Sequence, residues 1–430
     1  MHYLIKKTFL VAGFMVLVAS AAVAQRTTYS PYSKYGIGSL LYPSSNAEVA
    51  FGGGMGLSGN TYYLANNTAA IARGSAPTFD WGVIAQKTDF ETANQKASFK
   101  SGSVHHFFFG MPVKRGWGLQ FGIAPESQIG YNVVETQTVE DTLTATTEYE
   151  GQGGVNKAMV GFAKELFNQN DSLSFSVGAD FGYFFGNRAL TKKVSWAGGD
   201  YFFDTKLSET SLVSGIGFKL SGSGFWQQEK QSFGLGFSYE PASELTFTTD
   251  EALYNLETTS IGSEFEKDTS FFNEGVENKY KTGANFKVGF AYSPQESWMF
   301  TIDYWSKTQG ELEQMAAGSR VSLSASFQPV VRYSQFTSFF KSIRYSINAY
   351  TGNAGLTLNG EQLTEFGTGF ALMIPLKKSN SGSQFVIGAN YREFGTTNNN
   401  LLKETSFQGF VGLTLKPSRL DRWFVKRKYN

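Results

Sequence analysis

The sequence predicts an all-β protein: a transmembrane antiparallel β-barrel of about 14 strands with an N-terminal hatch, or plug, inside its lumen. Three observations predict this fold. Large apolar residues alternate with small or polar residues over many segments, the chain is rich in aromatic residues and glycine, and the connections between segments alternate between short and long. Barrels of bacterial outer membranes have such short turns on one side and longer loops on the other.

The composition suits β-strands whose outer face meets an apolar medium. Of the 430 residues, 16% are aromatic, with 40 Phe and 21 Tyr, and 47 are Gly. Charged residues make up 17%, against a usual ~25%. The absence of cysteine excludes disulfides and thiol chemistry. The 37 Lys plus Arg nearly balance the 36 Asp plus Glu, so no nucleic-acid partner is expected.

Residues 1–24 are predicted to be a cleaved signal peptide. Lys6 and Lys7 form a basic start, an apolar stretch follows, and the small residues before Gln25 fit a cleavage site. A retained transmembrane helix is the alternative, but such a helix needs roughly 20 apolar residues. Together with the strand pattern, the signal predicts a location in the outer membrane of a Gram-negative bacterium, with outer-membrane lipid around the barrel.

Residues 79–416 are predicted to form the barrel. Residues 172–182 alternate between two kinds of side chain, which is the period-two signature of a strand. The apolar face would carry Leu173, Phe175, Val177, Ala179 and Phe181. The small or polar face would carry Ser174, Ser176, Gly178, Asp180 and Gly182. A soluble β-sandwich also alternates, but the long strands and the polar second face favour a membrane barrel with a wet lumen. Fourteen strands are predicted to start near Phe79, Ala97, Trp117, Gly154, Ser172, Ser208, Gln231, Tyr280, Trp298, Arg320, Ser342, Glu365, Ser383 and Thr405.

The remaining segments lie outside the predicted wall. Long polar connections are expected at residues 130–152, 187–208, 248–279 and 307–318. Residues 25–78 are rich in glycine and small residues, and form either a disordered leader or a plug. A plug is expected because side chains alone fill a barrel of only about eight strands. Residues 417–430 are basic and aromatic, and form either an anchored periplasmic tail or a docking handle.

The N-terminal region combines a glycine-rich run with a turn that starts at a pair of asparagines. Its motif residues are Ala50, Gly53-Gly54-Met55-Gly56, Asn60, Tyr62-Tyr63 and Asn66-Asn67-Thr68-Ala69-Ala70. On these residues the region resembles the hatch of the FadL/TodX family of outer-membrane transport proteins, which has a glycine-rich run followed by an Asn-Pro-Ala turn that opens a hatch helix. This chain departs from the pattern at Thr68, where proline is usual, and Asn67 is expected to cap the turn.

Further motifs are similar to a divergent FadL-like branch of the same family, and the likeness covers nearly the whole mature chain. It includes Trp117-Gly118-Leu119, Phe184-Phe185-Gly186, Glu365-Phe366-Gly367, Tyr391-Arg392-Glu393-Phe394-Gly395-Thr396 and residues 422–429. The resemblance implies passive uptake of hydrophobic small molecules of the fatty-acid or aromatic type. The alternative is an accessory or scaffold barrel in an envelope assembly or secretion complex, as in the PorV-type barrels of type IX secretion.

Candidate site residues follow from the resemblance and from the predicted inward faces. The hatch residues would bound or gate a ligand pocket, or belong to a static plug. Polar residues at predicted inward positions would hold a ligand's polar head or form salt bridges with the hatch: Asp180, Asp303, Asn390 and Arg392. Three large residues at predicted inward positions would line a hydrophobic pocket or pack against the hatch: Phe184, Trp305 and Phe410. The candidate ligand or gating set is Tyr62, Tyr63, Leu64, Asn66, Asn67, Phe184, Trp305 and Arg392.

The sequence gives no sign of catalysis, of a cofactor or of a metal site. His105 and His106 are neighbours on a predicted strand, so their side chains are expected on opposite faces, where they could not share a metal. No nucleophile with an adjacent base is evident. The chain is therefore expected not to be an enzyme. A general hydrophilic porin remains a further alternative, since an unplugged lumen would conduct ions.

Overall fold

The computed structural model describes residues 28–41, 45–92, 95–140, 143–197, 203–258, 264–312, 314–331, 337–376 and 382–417. The predicted signal peptide and all of the predicted tail after residue 417 lie outside the described residues. The described strands, in chain order, are β1 (Ser39–Leu40), β2 (Thr78–Glu91), β3 (Lys96–Lys114), β4 (Trp117–Pro125), β5 (Ser127–Glu140), β6 (Leu143–Gln169), β7 (Leu173–Ala197), β8 (Asp204–Gln228), β9 (Gln231–Glu240), β10 (Glu244–Thr258), β11 (Glu264–Lys281), β12 (Asn285–Gln295), β13 (Trp298–Lys307), β14 (Gly318–Phe327), β15 (Arg344–Leu358), β16 (Glu361–Pro375), β17 (Gln384–Gly395) and β18 (Lys403–Leu415).

Fourteen of the described strands close into an antiparallel barrel. The wall runs β2, β3, β4, β6, β7, β8, β9 and then β12 to β18, and β18 pairs with β2 from Lys403↔Glu91 to Leu415↔Phe79. The predicted fold class is therefore confirmed. Most wall strands start within a few residues of the predicted position; β6 starts at Leu143, well before the predicted Gly154, because it extends beyond the wall.

The two faces of the wall differ as the alternation predicts. On β7, Leu173, Phe175 and Phe181 point outward, and the side chain of Phe181 is 53% exposed. Ser174, Ser176, Gly178 and Asp180, between them, are buried. Apolar side chains exposed around the barrel suit contact with lipid, and the small or polar residues face the lumen.

Three of the four connections that were predicted as long loops consist largely of strand, and that part of the prediction was wrong. Residues 130–152 form the β5–β6 hairpin, residues 187–208 mostly extend β7 and β8, and residues 248–279 form most of the β10–β11 hairpin. Since β10 also pairs with β8, these parts join into one sheet beyond the wall. We call it the outer sheet: β5, β10, β11 and the adjoining halves of β6, β7 and β8.

Residues 28–41 and 45–77, the plug segment, precede the wall and pack against its inner face. The segment contains β1, the helix α1 (Asn46–Phe51) and two 3₁₀ turns, Pro31–Lys34 and Thr68–Arg73; a second short helix, α2 (Phe339–Ser342), precedes β15. Plug and wall share one apolar cluster of buried residues: Ala47, Val49, Ala50, Phe51, Leu57, Tyr62, Leu64 and Ala70 from the plug, and Ile84, Ala291, Ala371, Met373, Val386 and Phe410 from the wall. In the described part of the chain, no helix has the length and apolar character needed to cross a membrane.

Candidate functional site: the plug and the lumen around it

Helix α1 is fastened to the seam where the barrel closes. Its first residue, Asn46, donates from its backbone N and from Nδ2 to the carboxylate of Asp80 on β2, at 2.9 and 2.8 Å. The same amide donates to Thr414 on β18 at 3.1 Å. A capping box at the helix start, in which Ser45 and Glu48 exchange hydrogen bonds, satisfies backbone N–H groups that would otherwise have no partner.

The glycine run after α1 lies against β13. Asp303 on β13 accepts from the backbone N–H groups of Gly54 and Met55 at 2.8 and 2.7 Å. Gly54 has a φ of +102°, which disfavours other residues, and a Cβ on Gly53 would lie 2.7 Å from Asp303 Oδ2. The glycines thus permit the close approach, and Asp303 binds the plug backbone.

The turn at Thr68 is fastened to the opposite side of the lumen. The Thr68 hydroxyl donates to Asp180 on β7 and accepts from Gln120 Nε2 on β4, at 2.7 Å in the latter case. Gln120 Nε2 also donates to Asp180 at 2.6 Å, and Lys219 Nζ lies 3.4 Å from the same carboxylate. Proline, the usual residue of the resembled family, has no hydroxyl and could not form this network.

Asn67 does not cap that turn, so this detail of the sequence-based expectation was wrong. Its side chain makes no capping hydrogen bond and instead donates to the carbonyl of Met55 at 2.8 Å, within the plug. The backbone carbonyl of Asn67 accepts from Ala70 N at 3.1 Å. The turn therefore depends on wall contacts and on Asn67 bridging two parts of the plug.

The other candidate residues of the hatch also form contacts within the plug or with the wall. Tyr62 packs edge-on against Phe51, with ring centroids 5.4 Å apart. Tyr63 donates to Gln120 Oε1 at 2.9 Å, and burial, followed by the nearby Asp80, raises the pKa of Tyr63 well above its ordinary value. Leu64 is fully buried. Asn66 accepts from Lys287 Nζ on β12 at 2.7 Å.

The large inward residues pack against the plug or close to it. Phe410 belongs to the apolar cluster shared with α1. Phe184 packs with Ile37 of the plug in a second buried cluster, and Lys157 Nζ lies 4.8 Å from its ring centroid. Trp305 is buried beside two small cavities that also touch the plug. The structure thus places these side chains in the plug's surroundings; a role in ligand binding or gating stays a prediction.

Arg392 lies in a charged group above α1. Its guanidinium bonds Glu365 on β16, with Nη2 and Nε at 3.0 and 3.1 Å from Oε2. Arg320 Nη1 lies 3.8 Å from the same carboxylate. All three line a cavity of about 120 Å³ with a mixed polar and apolar lining, together with Glu404 and His105. Pockets for drug-sized ligands measure roughly 300–1,000 Å³ and are mostly apolar, so this cavity does not suit a bulky hydrophobic molecule.

His105 and His106 both lie on the lumen side, which corrects the expectation of opposite faces. Gly82 pairs with His106 and Val83 pairs with Val104, so His105 is an extra residue in a β-bulge, and a bulge re-aims side chains. The two Nδ1 atoms lie 2.8 Å apart, and His106 Nε2 lies 3.0 Å from Asp80 Oδ2. No group of three or more His, Cys, Asp or Glu within the described ranges has a metal-binding arrangement.

The wall ladder is interrupted beside the first half of β3. Among the described residues, residues 96–106 of β3 pair only with β2, since β4 pairs with β3 from Phe107 onward. The plug segment lies at the interruption: Ser39 and Leu40 pair with β5, and Tyr29 stacks on Phe99 of β3 with centroids 4.4 Å apart. The first residues of the plug thus cover the site where a lateral opening would lie.

Sequence reasoning missed several residues that hold the plug. Asp80, Gln120 and Lys219 on the wall and Glu48 in α1 are all buried and bound across the plug–wall boundary or within the plug. The signal in the sequence that could have identified the wall residues is a charged or amide residue at an inward strand position beside small residues. It does not identify the partner, because the bonded residues are far apart in sequence.

The comparisons with known proteins agree with this architecture. A family model described as BamG matches residues 4–430. No curated protein matches the sequence. The Ralstonia pickettii toluene transporter TbuX has a similar structure, with 10% identity, a TM-score of 0.53 and coverage of 86% of this chain and 98% of that one. A FadL homologue of Pseudomonas aeruginosa gives 10% identity, a TM-score of 0.50 and coverage of 87% and 98%.

At such identity the likeness establishes the fold alone. The chain is an outer-membrane β-barrel of the FadL-like type, as the sequence motifs predicted. The similar structures named here are of transport-type barrels and not of enzymes. They carry no information on a substrate of this chain.

Proposed function

The chain belongs to the BamG family, and from the geometry of its lumen we propose that it is a sealed outer-membrane barrel that serves as an accessory subunit of a larger envelope assembly. The single observation that carries the proposal is the fastening of the plug. Strands on opposite sides of the lumen bind it through buried or partly buried polar side chains: Asp80, Gln120, Asp180, Lys219, Lys287, Asp303 and Ser346.

This fastening is costly to undo. A hydrogen bond to a charged group contributes about 1.5–3 kcal/mol to the stability of the folded state. A buried group that loses its hydrogen-bond partner lowers that stability by a similar amount. Moving the plug would leave the carboxylates of Asp180 and Asp303 buried without the hydroxyl and N–H groups that they now accept from. Asp180 and Asp303, two of the inward polar residues that could hold a ligand in a transporter, thus hold the plug here. The same fastening argues against a general porin.

The outer sheet offers a surface for a protein partner. Among the described residues, the residue pairing of its edge strand β11 is with β10 alone, and β11 exposes Phe265, Phe271 and Phe272. An unpaired edge with exposed apolar side chains is a template for contact with another chain. In β10 and β11 acidic residues outnumber basic ones, so a basic partner surface is favoured.

Purification of the epitope-tagged chain from its native outer membrane tests the proposal. Stoichiometric protein partners are expected with the wild type. They should be lost when Asn-Gly replaces residues 249–276, which joins the facing pair Thr248 and Glu277 by a two-residue turn. The matched control replaces residues 137–145 by Asn-Gly in the β5–β6 hairpin. A wild-type chain that is isolated alone from gently solubilised native membranes would refute the accessory role.

Passive uptake of hydrophobic small molecules is the second candidate function. The observation that favours it is the interrupted ladder beside β3, where the plug segment and the side chain of Gln128 on β5 lie against β3 in place of a paired strand. Uptake requires the plug to move, with Tyr62, Tyr63, Leu64, Asn66 and Asn67 in the moving part. Mass spectrometry of the small molecules in the same purified samples distinguishes the two: a specific apolar ligand without protein partners would favour uptake.

A further inference from the structure

Lys307 is a buried lysine for which the described part of the chain provides no hydrogen-bond or ion-pair partner. Its side chain is 7% exposed, and among the described residues it forms no hydrogen bond and no ion pair within 4.0 Å. It lines a cavity of about 50 Å³ between the wall and the plug, together with Lys157, Lys219 and Lys287. Four lysines from four different strands thus face one enclosed space.

Among the described residues, two of these lysines have a carboxylate within 4.0 Å and two do not. Lys157 pairs with Glu240, and Lys219 lies 3.4 Å from Asp180. Within the described ranges, the one hydrogen-bond acceptor of Lys287 Nζ is a neutral group, Asn66 Oδ1 at 2.7 Å. In the same ranges Lys307 Nζ has no acceptor.

The one other carboxylate that lines the cavity, Glu126, attracts Lys287 and Lys307 at longer range and offsets part of their charge, but it gives neither lysine a hydrogen-bond acceptor. Glu126 forms no ion pair within 4.0 Å of its carboxylate in the described part of the chain. A buried charge that lacks a partner is strongly disfavoured. A negatively charged occupant between Lys287 and Lys307 would offset this cost, and the low-dielectric surroundings strengthen such an attraction.

We propose that this cavity binds one small oxyanion of the phosphate or carboxylate class, with Lys307 and Lys287 as its donors. A water molecule needs about 10–15 Å³ by the same measure, so the cavity accommodates the oxyanion group, and an alkyl chain attached to it would lie outside the cavity. Lysine binds phosphate as a compact point charge. Leu40, Leu41 and Met159 close the apolar side of the cavity.

The bound anion connects the plug to the wall. Leu40, Leu41 and Asn66 belong to the plug, whereas the four lysines belong to β6, β8, β12 and β13. Occupancy would therefore stabilise the plugged state by mass action. The inference goes beyond the accessory role and holds whether or not the chain has protein partners.

Equilibrium dialysis of the folded full chain in detergent against radiolabelled inorganic phosphate tests the site. One saturable phosphate per chain is expected for the wild type. Lys307→Met and Lys287→Met should each weaken phosphate binding roughly tenfold or more, since each removes a charged donor. Lys279→Met is the matched control, because Lys279 is exposed on β11 and bonds Glu244; it should bind phosphate like the wild type.

A parallel arm with radiolabelled hexanoate separates the two sources of the oxyanion. Tighter binding of phosphate identifies a free inorganic anion as the occupant, and tighter binding of hexanoate identifies the head of an amphiphile. Either result supports the site if the Lys307→Met and Lys287→Met variants no longer bind that probe. The compact electrophoretic form of unheated samples reports folding of each variant. Absence of saturable binding of both probes to the wild type, or equal binding by folded Lys307→Met, overturns the proposal.

Discussion

Thr68 decides how the plug is held at its second turn. A hydroxyl at this position connects Gln120 on β4 to Asp180 on β7, whereas the proline usual in the resembled FadL/TodX family could only shape the turn. The departure from the family motif, visible in the sequence, thus has a physical consequence in the structure. It replaces a local backbone preference by a long-range bond to the wall.

Thr68→Val should destabilise the folded barrel by about 1–3 kcal/mol. Valine keeps the branched shape but removes the hydroxyl, so Gln120 loses an acceptor and the buried Asp180 carboxylate loses a donor. The midpoint of thermal unfolding in detergent measures the effect. Thr68→Ser, which keeps the hydroxyl, should remain near the wild type; equal midpoints for the valine and wild-type proteins would show that the network does not stabilise the plug.

At this scale the sequence predicts the face of a side chain but not its partner. Period two correctly placed Asp180, Asp303 and Phe184 in the lumen. The same rule failed for His105 and His106, because one extra residue in a bulge shifts the alternation and no sequence pattern marks the bulge.

Helix α1 is an element that cannot be stable alone. It has six residues, and isolated helices shorter than about 12–15 residues are marginal in water. Its capping box and its contacts with the wall therefore determine whether it forms. This dependence makes the cap of α1 a sensitive point of the plug.

Ser45→Ala should lower the stability of the folded barrel by about 1 kcal/mol, since it removes the cap of α1. Ser45 Oγ accepts from Glu48 N and also donates to the carbonyl of Tyr63. Urea unfolding, followed by loss of the compact electrophoretic form, measures the change. Ser338→Ala is the matched control, because Ser338 stands at the start of α2 without a side-chain cap; a loss of the same size in both variants would contradict the role given to the α1 cap.

The strands of the wall were predictable because lipid imposes one apolar face on each of them. The starts of β4, β9 and β13 at Trp117, Gln231 and Trp298 are those read from the sequence. The strands of the outer sheet were predicted as loops because no apolar medium imposes such a face on them. Its strands expose polar residues on much of their surface, so they lack the one-sided apolar pattern that signals a strand and fixes its register.

The whole molecule is a closed wall around a bound plug. The lumen faces of strands all around the barrel meet the plug, so the two form one apolar and hydrogen-bonded interior. The sequence indicated that such a wide barrel needs filling. It could not indicate how, because the contacts join residues as distant as Met55 and Asp303.

Sealing and partner binding use different parts of the molecule in this account. The plug closes the lumen, and the outer sheet, beyond the wall, offers β11 to other chains. A plug that serves only as a seal has no need to open during function. Its stability should therefore equal that of the wall.

Hydrogen–deuterium exchange of the intact barrel, read by mass spectrometry, tests this central claim most directly. An amide exchanges slowly if its hydrogen bond breaks only when the whole protein unfolds. The amides of a gate exchange early, because a gate opens at a low free energy. The amides of residues 45–73 are expected to exchange as slowly as those of the wall strands β7 and β13. Exchange of these plug amides well ahead of the wall, under conditions in which the barrel stays folded, would contradict the sealed barrel and favour a gated passage.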